Sequence, residues 1–304
     1  SRGLGDVYKR QLIPTAGELN PLHVEEAICK LLGEEPRRPL NTSIETPPRP
    51  PVLCPGCPHR ASYYALKKAV RELGIKNYVF TGDIGCYALA VNPPLKAMDT
   101  CICMGASVGN ACGISKVSDQ LVVAVLGDST FFHAGLPGLL NAVYNQAPIV
   151  VVVLDNETTA MTGHQPHPGT GMDAVGRPAM KILIENVAKA LGVEHVGVCD
   201  PYNLEEAVKT LKNAIEYTLN SGKPSLVVSR RICALLARRL GVKERVYRVN
   251  PEKCKGCGVC VREFGCPAIT LRNGVAVIDE VLCLGCGVCA QVCPFKAVEV
   301  SGTG

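Results

Sequence analysis

The sequence predicts an α/β chain built on a parallel sheet flanked by helices, with a small second domain on its C-terminal side. Three observations carry that reading. Five short apolar runs rich in β-branched residues alternate with helical segments between residues 52 and 232. A cysteine-rich unit occurs twice within residues 247–300. Before the first apolar run lies "EEPRRPLNTSIETPPRPP", rich in proline and poor in apolar side chains, which reads as a linker.

Composition narrows the function classes. A chain of 304 residues is long enough for one large core and a smaller satellite. With 47% hydrophobic and 19% charged residues it is not a disordered chain. The formal charge of +5 comes with no dense Lys/Arg stripe, so nucleic-acid binding has no compositional support. No run of 18 apolar residues is present, which argues against a membrane span. The 17 cysteines are odd in number and grouped at two-residue spacings. That usage reads as metal ligation in a reducing, cytoplasmic setting rather than as a disulfide framework. The opening "SRGLGDVYKRQL" begins with Ser and resembles an adapter-derived scar. Residues 1–11 are therefore expected to be a non-native leader, and the chain the C-terminal part of a longer protein.

The elements follow in order. Residues 12–51 are expected to be the tail of a preceding domain and the Pro-rich linker. Asn20 caps a helix with Pro21 in its first turn. Val24, Ala27, Ile28, Leu31 and Leu32 form its apolar stripe, and Gly33 ends it. Residues 52–240 carry the α/β domain. Its strands are Asn77–Asp83, Leu121–Asp128, Ala147–Asn156, Glu194–Asp200 and Pro224–Arg230. Its helices are expected at 59–73, 105–116, 135–145, 178–191 and 203–220. Near-continuous apolar strands alternating with helices indicate a parallel sheet covered on both faces. Ligands of such sheets sit beyond the carboxyl ends of the strands. Two strands end there in Gly-Asp and Asp-Asn.

Residues 247–304 form the duplicated unit, too small for a core of its own. Its second copy, Cys283, Cys286, Cys289 and Cys293 followed by Pro294, has the C-x-x-C-x-x-C-x-x-x-C-P spacing of bacterial [4Fe–4S] ferredoxins. The fourth cysteine of such a run ligates the other cluster. One cluster is therefore assigned Cys254, Cys257, Cys260 and Cys293, and the other Cys283, Cys286, Cys289 and Cys266. In the first copy five residues, not three, separate Cys260 from Cys266, so a longer turn is expected there. A zinc ribbon and an empty first site are the alternatives.

"GDSTFFHAGLPGLLNAVYNQAPIVVVVLDN" runs from Gly127 to Asn156. It resembles the thiamine diphosphate motif, GD(G/S) with an Asn some 25–30 residues on. Mg²⁺ wants near-octahedral oxygens and takes one or two protein side chains plus phosphate. Asp128 would give a carboxylate oxygen, Asn156 an amide oxygen and Thr158 its backbone carbonyl. Ser129 stands where the commoner motif has Gly. Gly127 and Gly135 are read as letting backbone approach the ligand, and a helix beginning near Gly135 as adding its dipole. Met161 and Thr162 begin a loop that could close over the diphosphate. A Rossmann-like nucleotide site is the alternative, but no G-x-G-x-x-G follows a strand. A further set, Cys54 and Cys57 with the distant Cys86 and Cys233, is a candidate third [4Fe–4S] site, with zinc or unligated thiols as alternatives. Cys29, Cys112 and Cys199 read as packing residues; the role of Cys101 and Cys103 stays open. His59 and His167 read as structural histidines. His133 and His164 flank the two Mg²⁺-binding segments and are the candidate catalytic pair.

"CPGCPHR", "GDIGCY", "CMGAS", "GDSTFFHAG", "LDNETTAMTGHQ" and the fused cysteine repeat occur in that order over residues 12–300. Together they resemble the 2-oxoacid:ferredoxin oxidoreductases, and within them the alpha subunits of the indolepyruvate branch. The resemblance implies a thiamine-diphosphate-binding fold with a 2×[4Fe–4S] ferredoxin-like domain. It adds Gly85 and Met104 to the cofactor-binding residues, and sets a cluster near the cofactor at Cys54, Cys57, Cys86 and Cys233. The implied activity is oxidative decarboxylation of an aryl 2-oxoacid such as indolepyruvate, with coenzyme A as co-substrate. Electrons would pass through the clusters to ferredoxin. The implied partners are a smaller beta subunit, within a hetero-oligomer, and ferredoxin. The pyrimidine-binding domain of the family is expected before residue 12, so this chain alone is expected not to turn over. A pure iron–sulfur carrier and a non-oxidative thiamine decarboxylase are the competing readings.

Overall fold

The structure is a computed structural model that describes residues 12–14, 16, 17, 19–37, 50–242 and 245–301. The expected leader and most of the expected linker lie outside the described residues. The chain divides into two compact units, Ser1–Pro50 and Pro51–Gly304.

In the first unit, helix α1 spans Pro21–Leu32. The Asn20 side chain accepts from the N–H groups of Leu22 and His23, satisfying two orphan donors of the first turn. Gly33 stops the helix in the left-handed region, at φ 70°. The expected stripe is only partly covered: Ala27 is buried, whereas Val24, Ile28, Leu31 and Leu32 are exposed.

The second unit holds helix α2 (Pro58–Glu72), strand β1 (Tyr78–Gly82), a 3₁₀ turn at Cys86–Val91, β2 (Thr100–Cys101), α3 (Ala106–Val117) and β3 (Leu121–Gly127). A helical rod follows, formed by the turn Asp128–Thr130, a π turn Phe131–Gly135 and α4 (Leu136–Tyr144). Then come β4 (Ile149–Asp155), α5 (Ile184–Ala190), β5 (His195–Cys199), α6 (Leu204–Ser221), β6 (Ser225–Arg230) and α7 (Ala234–Arg239). Strands β1 to β6 form one sheet in the order β2-β1-β3-β4-β6-β5, with every pairing parallel. β3 and β4 are buried at every residue. Their alternate side chains feed two layers. Val123, Val125, Val150 and Val152 pack with α2 and α6, and Val122, Ala124, Leu126 and Val151 pack with α3, α4 and α5. From β1 the chain crosses to one side of the sheet, and from β3 to the other. The reversal leaves a crevice at their carboxyl ends, the expected ligand position in an open parallel sheet.

Three features differ from the sequence reading. Residues 178–183 are not helical, and α5 begins only after Leu183, whose ψ is 130°. Pro178, lacking an N–H, forms a bridge with Met172 instead of a helical turn. The helix expected near Gly135 begins at Asp128. The edge strand β2 and helix α7 carry too short a periodic signal to stand out.

The cysteine-rich segment adds two small sheets. β7 (Tyr247–Val249) pairs antiparallel with β10 (Val298–Val300), and β8 (Ile269–Arg272) with β9 (Val275–Ile278). Asn273 and Gly274, both at positive φ, turn the second hairpin. The extra residues after Cys260 form a π turn, Cys260–Phe264, closed by Gly265 at φ 65°. Helix α8 (Val288–Val292) completes the second repeat. Phe264, Ile278, Val288 and Val292 join the same apolar cluster as α2 and α6. Among the described residues no helix is long and apolar enough to cross a membrane.

Candidate functional site

The crevice between β1 and β3 opens into a cleft of about 490 Å³, its mouth included. Gly85, Met104, Gly127, Asp128, Asn156, Thr158, Met161 and Thr162 line it, so every expected cofactor-binding residue except Ser129 is brought together. The Ser129 N–H donates to Asp128 Oδ1 at 2.8 Å, and its hydroxyl accepts from Thr159 at 3.0 Å. It braces the site from outside the lining.

Asp128, Asn156 and Thr158 are buried at the ends of adjacent strands. Asp128 Oδ2 accepts from the N–H groups of Asn156 and Thr158, at 3.1 and 3.3 Å. One amide atom of Asn156 lies 2.9 Å from the Thr158 carbonyl oxygen and 3.2 and 3.3 Å from the two Asp128 carboxylate oxygens. As nitrogen it would donate to all three. As oxygen it completes a cluster of oxygens spaced like neighbouring ligands of octahedral Mg²⁺, about 3.0 Å apart for bonds of about 2.1 Å. The donor set therefore fits a hard divalent cation.

The surroundings bias the charges. His167, 8% exposed, places Nε2 at 3.1 Å from Asp128 Oδ2. Its Nδ1 accepts from the Gly169 N–H, so a neutral ring carries its proton on the nitrogen facing Asp128. The ring is stacked on Phe132. Asp155 accepts from Arg230, which also forks onto Glu185. Burial and the charge of Asp128 still push the Asp155 carboxyl up to about 6. Burial drives the His59 imidazole down to about 4, so it is neutral at pH 7.

Tyr87 shapes the floor. Its hydroxyl donates to buried Asp83 and lies 2.9 Å from the Thr130 hydroxyl. A Cβ at Gly85 would stand 2.3 Å from the Tyr87 ring, and one at Gly127 2.8 Å. Gly127, which lines the cleft, also makes room for Tyr87. Gly135 likewise makes room for Leu126 Cδ1, inside the helical rod.

A second cavity, of about 480 Å³ with its mouth, is lined by Cys54, Cys57, Cys86 and Cys233. Three separate segments deliver them: the loop before α2, the start of the 3₁₀ turn, and the residue before α7. The Cys233 N–H donates to Asn156 O, which ties this set to the strand end of the cleft. His59, Cys86, Asn156 and Ala160 line both cavities. Burial pushes the Cys57 thiol up to about 12 and the Cys86 thiol to about 11. Unligated, both would stay protonated at neutral pH, and metal binding would displace their protons.

In the repeat, the thiols acting on Cys260 are Cys257, Cys293 and Cys254. Those acting on Cys289 are Cys286, Cys266 and Cys283. The crossed grouping matches the spacing argument. Among the described residues no three His, Cys, Asp or Glu side chains converge as ligands of one ion. The Cys54/Cys57/Cys86/Cys233 and Cys266/Cys283/Cys286/Cys289 sets line cavities instead.

The two candidate catalytic histidines are not brought together. His133 is exposed on the π turn, and His164 lines the cysteine cavity with Nδ1 buried. His59 and His167, expected to be structural, stand at the site instead: His59 lines both cavities and His167 faces Asp128. Proximity to Gly-Asp in sequence favoured His133; the helical rod, starting at Asp128, turns it outward. Cys101 and Cys103 are exposed, and Cys29, Cys112 and Cys199 are buried.

Residues 83–229 match the family described as thiamine pyrophosphate enzyme, C-terminal TPP binding domain, and residues 276–299 match the 4Fe-4S binding domain. Fold and site thus define a thiamine-enzyme domain joined to an iron–sulfur segment. Indolepyruvate oxidoreductase subunit IorA of Archaeoglobus fulgidus is 45% identical over 98% of this chain and 49% of its own length. The subunit of the same name from Pyrococcus horikoshii is 44% identical over 97% of this chain and 48% of its own. The chain belongs to the family of these IorA subunits, and it spans about half the length of the curated relatives it matches. A 2-oxoglutarate:ferredoxin oxidoreductase from Magnetococcus marinus shares the fold, with a TM-score of 0.53 at 20% identity over 62% of this chain and 66% of its own.

Proposed function

We propose that this chain supplies the diphosphate-and-Mg²⁺ half of a thiamine diphosphate site, together with the iron–sulfur relay that serves it, in an indolepyruvate:ferredoxin oxidoreductase. One observation carries the reading: the Cys54/Cys57/Cys86/Cys233 cavity and the Asp128 cleft share a wall made of His59, Cys86, Asn156 and Ala160. A redox centre against the cofactor cleft is what an oxidative enzyme needs and a non-oxidative decarboxylase does not. A pure electron carrier would leave the Asp128–Asn156–Thr158 oxygens without purpose.

Asp128, Asn156 and the Thr158 carbonyl would hold Mg²⁺. His167, with Nε2 3.1 Å from Asp128 Oδ2, would steady that carboxylate, and Arg230 holds the adjoining Asp155. Tyr87, fixed by Asp83 and Thr130, gives the cleft a rigid floor. Met104 and Met161 offer apolar contact and help exclude water. Thiamine diphosphate, when bound, supplies the electron sink for decarboxylating a 2-oxoacid. The three cysteine sets would each hold a [4Fe–4S] cluster and carry electrons singly to ferredoxin. Cys86 belongs to both cavities, so a cluster held there would lie nearest the cofactor and would be placed to accept its electrons. Coenzyme A as acyl acceptor, a smaller beta subunit, a hetero-oligomeric assembly and a cytoplasmic setting complete the proposal, on the family membership and the cysteine usage. The pyrimidine half of the cofactor site would come from elsewhere in the assembly, because the matched thiamine region is the C-terminal binding domain.

The test is anaerobic. The assembled enzyme should bind thiamine diphosphate only with a divalent cation, and indolepyruvate should reduce its clusters. Cofactor binding without a cation, or clusters that indolepyruvate plus coenzyme A leave oxidised, would sink the proposal.

A further inference from the structure

Arg60 is a buried cation between two cysteine sets. It is 4% exposed, although it stands in the first turn of α2, only three residues after Cys57. Its guanidinium ties two segments together. Nη2 donates to the Leu53 carbonyl at 2.6 Å, one residue before Cys54. Nη1 donates to the Phe264 carbonyl at 3.2 Å, two residues before Cys266. Nε is buried and has no hydrogen-bond partner. The same two segments touch again nearby: Pro55 and Gly56 line the small cavity of Cys266, Cys283, Cys286 and Cys289.

The charge on Arg60 has no ordinary explanation. Both its acceptors are neutral carbonyls. The ionisable groups that act on it most strongly are thiols: Cys266, Cys57, Cys54 and Cys286. They belong to the two sets beside which the guanidinium is anchored, next to Cys54 and Cys266. Burying a guanidinium without a counter-anion is costly, and arginine does not relieve the cost by losing its proton. Four thiolates around a [4Fe–4S]²⁺ core sum to about −2, so a loaded cluster on either side would supply that anion.

We infer that Arg60 is a positioning residue that raises the reduction potentials of the Cys54 and Cys266 clusters together and leaves the Cys254 cluster alone. The inference rests on the proposed occupancy of those sites. Reduction adds negative charge to a cluster, so a nearby fixed cation in a low-dielectric interior favours the reduced form. One cation serving both clusters moves their potentials in step and keeps the hop between them close to level. Its hydrogen bonds to both segments also fix the separation over which that hop occurs.

The test is an EPR-monitored redox titration of the assembled enzyme and of Arg60→Gln, Arg60→Met and Arg60→Lys. Iron in the native enzyme is counted first. A native Cys54 site without iron means that the underlying proposal has failed, separately from this inference. With three clusters present, Gln and Met should shift two signals to more negative potential and leave the third in place. Lys should keep both near their native values. An unshifted pair, an equal shift of all three signals, or a Lys variant as displaced as Gln would overturn the inference. Loss of iron from all three sets in both uncharged variants would overturn it too, in favour of a role in folding alone.

Discussion

Asp128 concentrates the chemistry of the cleft at one carboxylate: two backbone N–H groups, the Asn156 amide and His167 all meet it. Asp128→Asn removes the charge a cation needs while keeping the shape. It should weaken Mg²⁺-dependent thiamine diphosphate binding at least about ten-fold, read by calorimetry, since even an outer partner of a metal ligand is worth about 10–100-fold. His167→Gln should weaken it by about ten-fold on the same reasoning; an unaltered Mg²⁺ dependence would remove His167 from the site. Asp128 and Asn156 were legible in the sequence because a Gly-Asp and an Asp-Asn end two adjacent apolar strands. His167 was not legible. It reaches Asp128 from a loop 39 positions downstream, at no fixed spacing, and only the stacking on Phe132 and the Gly169 hydrogen bond place it there. His133 was over-read for the opposite reason: nearness in sequence is no guide across a helical rod.

The elements owe their positions to β3 and β4, whose every side chain is buried. Leu126, at the end of β3, fills the space left by Gly135 and joins the layer under α3 and α4. Leu126→Ala should cost about 2–5 kcal/mol of unfolding free energy by denaturant titration. It should also loosen the cleft, because Gly127 and Asp128 follow directly. A cost within about 0.5 kcal/mol would mean that this end of the strand is not the rigid platform described. The parallel strands were readable as unbroken β-branched runs, and the helices between them from periodicity. What escaped was short or irregular. Two-residue β2 has no periodicity to detect. The early start at Asp128 is hidden because a Gly-Asp-Ser turn reads as a loop until the helix behind it is known. Residues 178–183 carry apolar side chains at helical spacing, yet Pro178 and the extended Leu183 keep them out of α5.

Across the whole unit, the cysteines divide by place as well as by spacing. The crossed grouping of the repeat was deducible from the ferredoxin spacing, because it needs only one chain segment and its copy. The Cys54, Cys57, Cys86 and Cys233 set depends on three strand and loop ends meeting at one edge, which the parallel topology brings about. The meeting of that set with the Asp128 cleft, through His59, Cys86, Asn156 and Ala160, is the central claim. Iron, acid-labile sulfide and zinc per chain, measured on anaerobically prepared protein and on Cys86→Ser, test it most directly. The account predicts about 12 Fe and about 12 sulfides in the native protein, as three [4Fe–4S] clusters require, with a loss of about 4 of each in Cys86→Ser. About 8 Fe in both proteins, or zinc in place of iron at the Cys86 site, would contradict it.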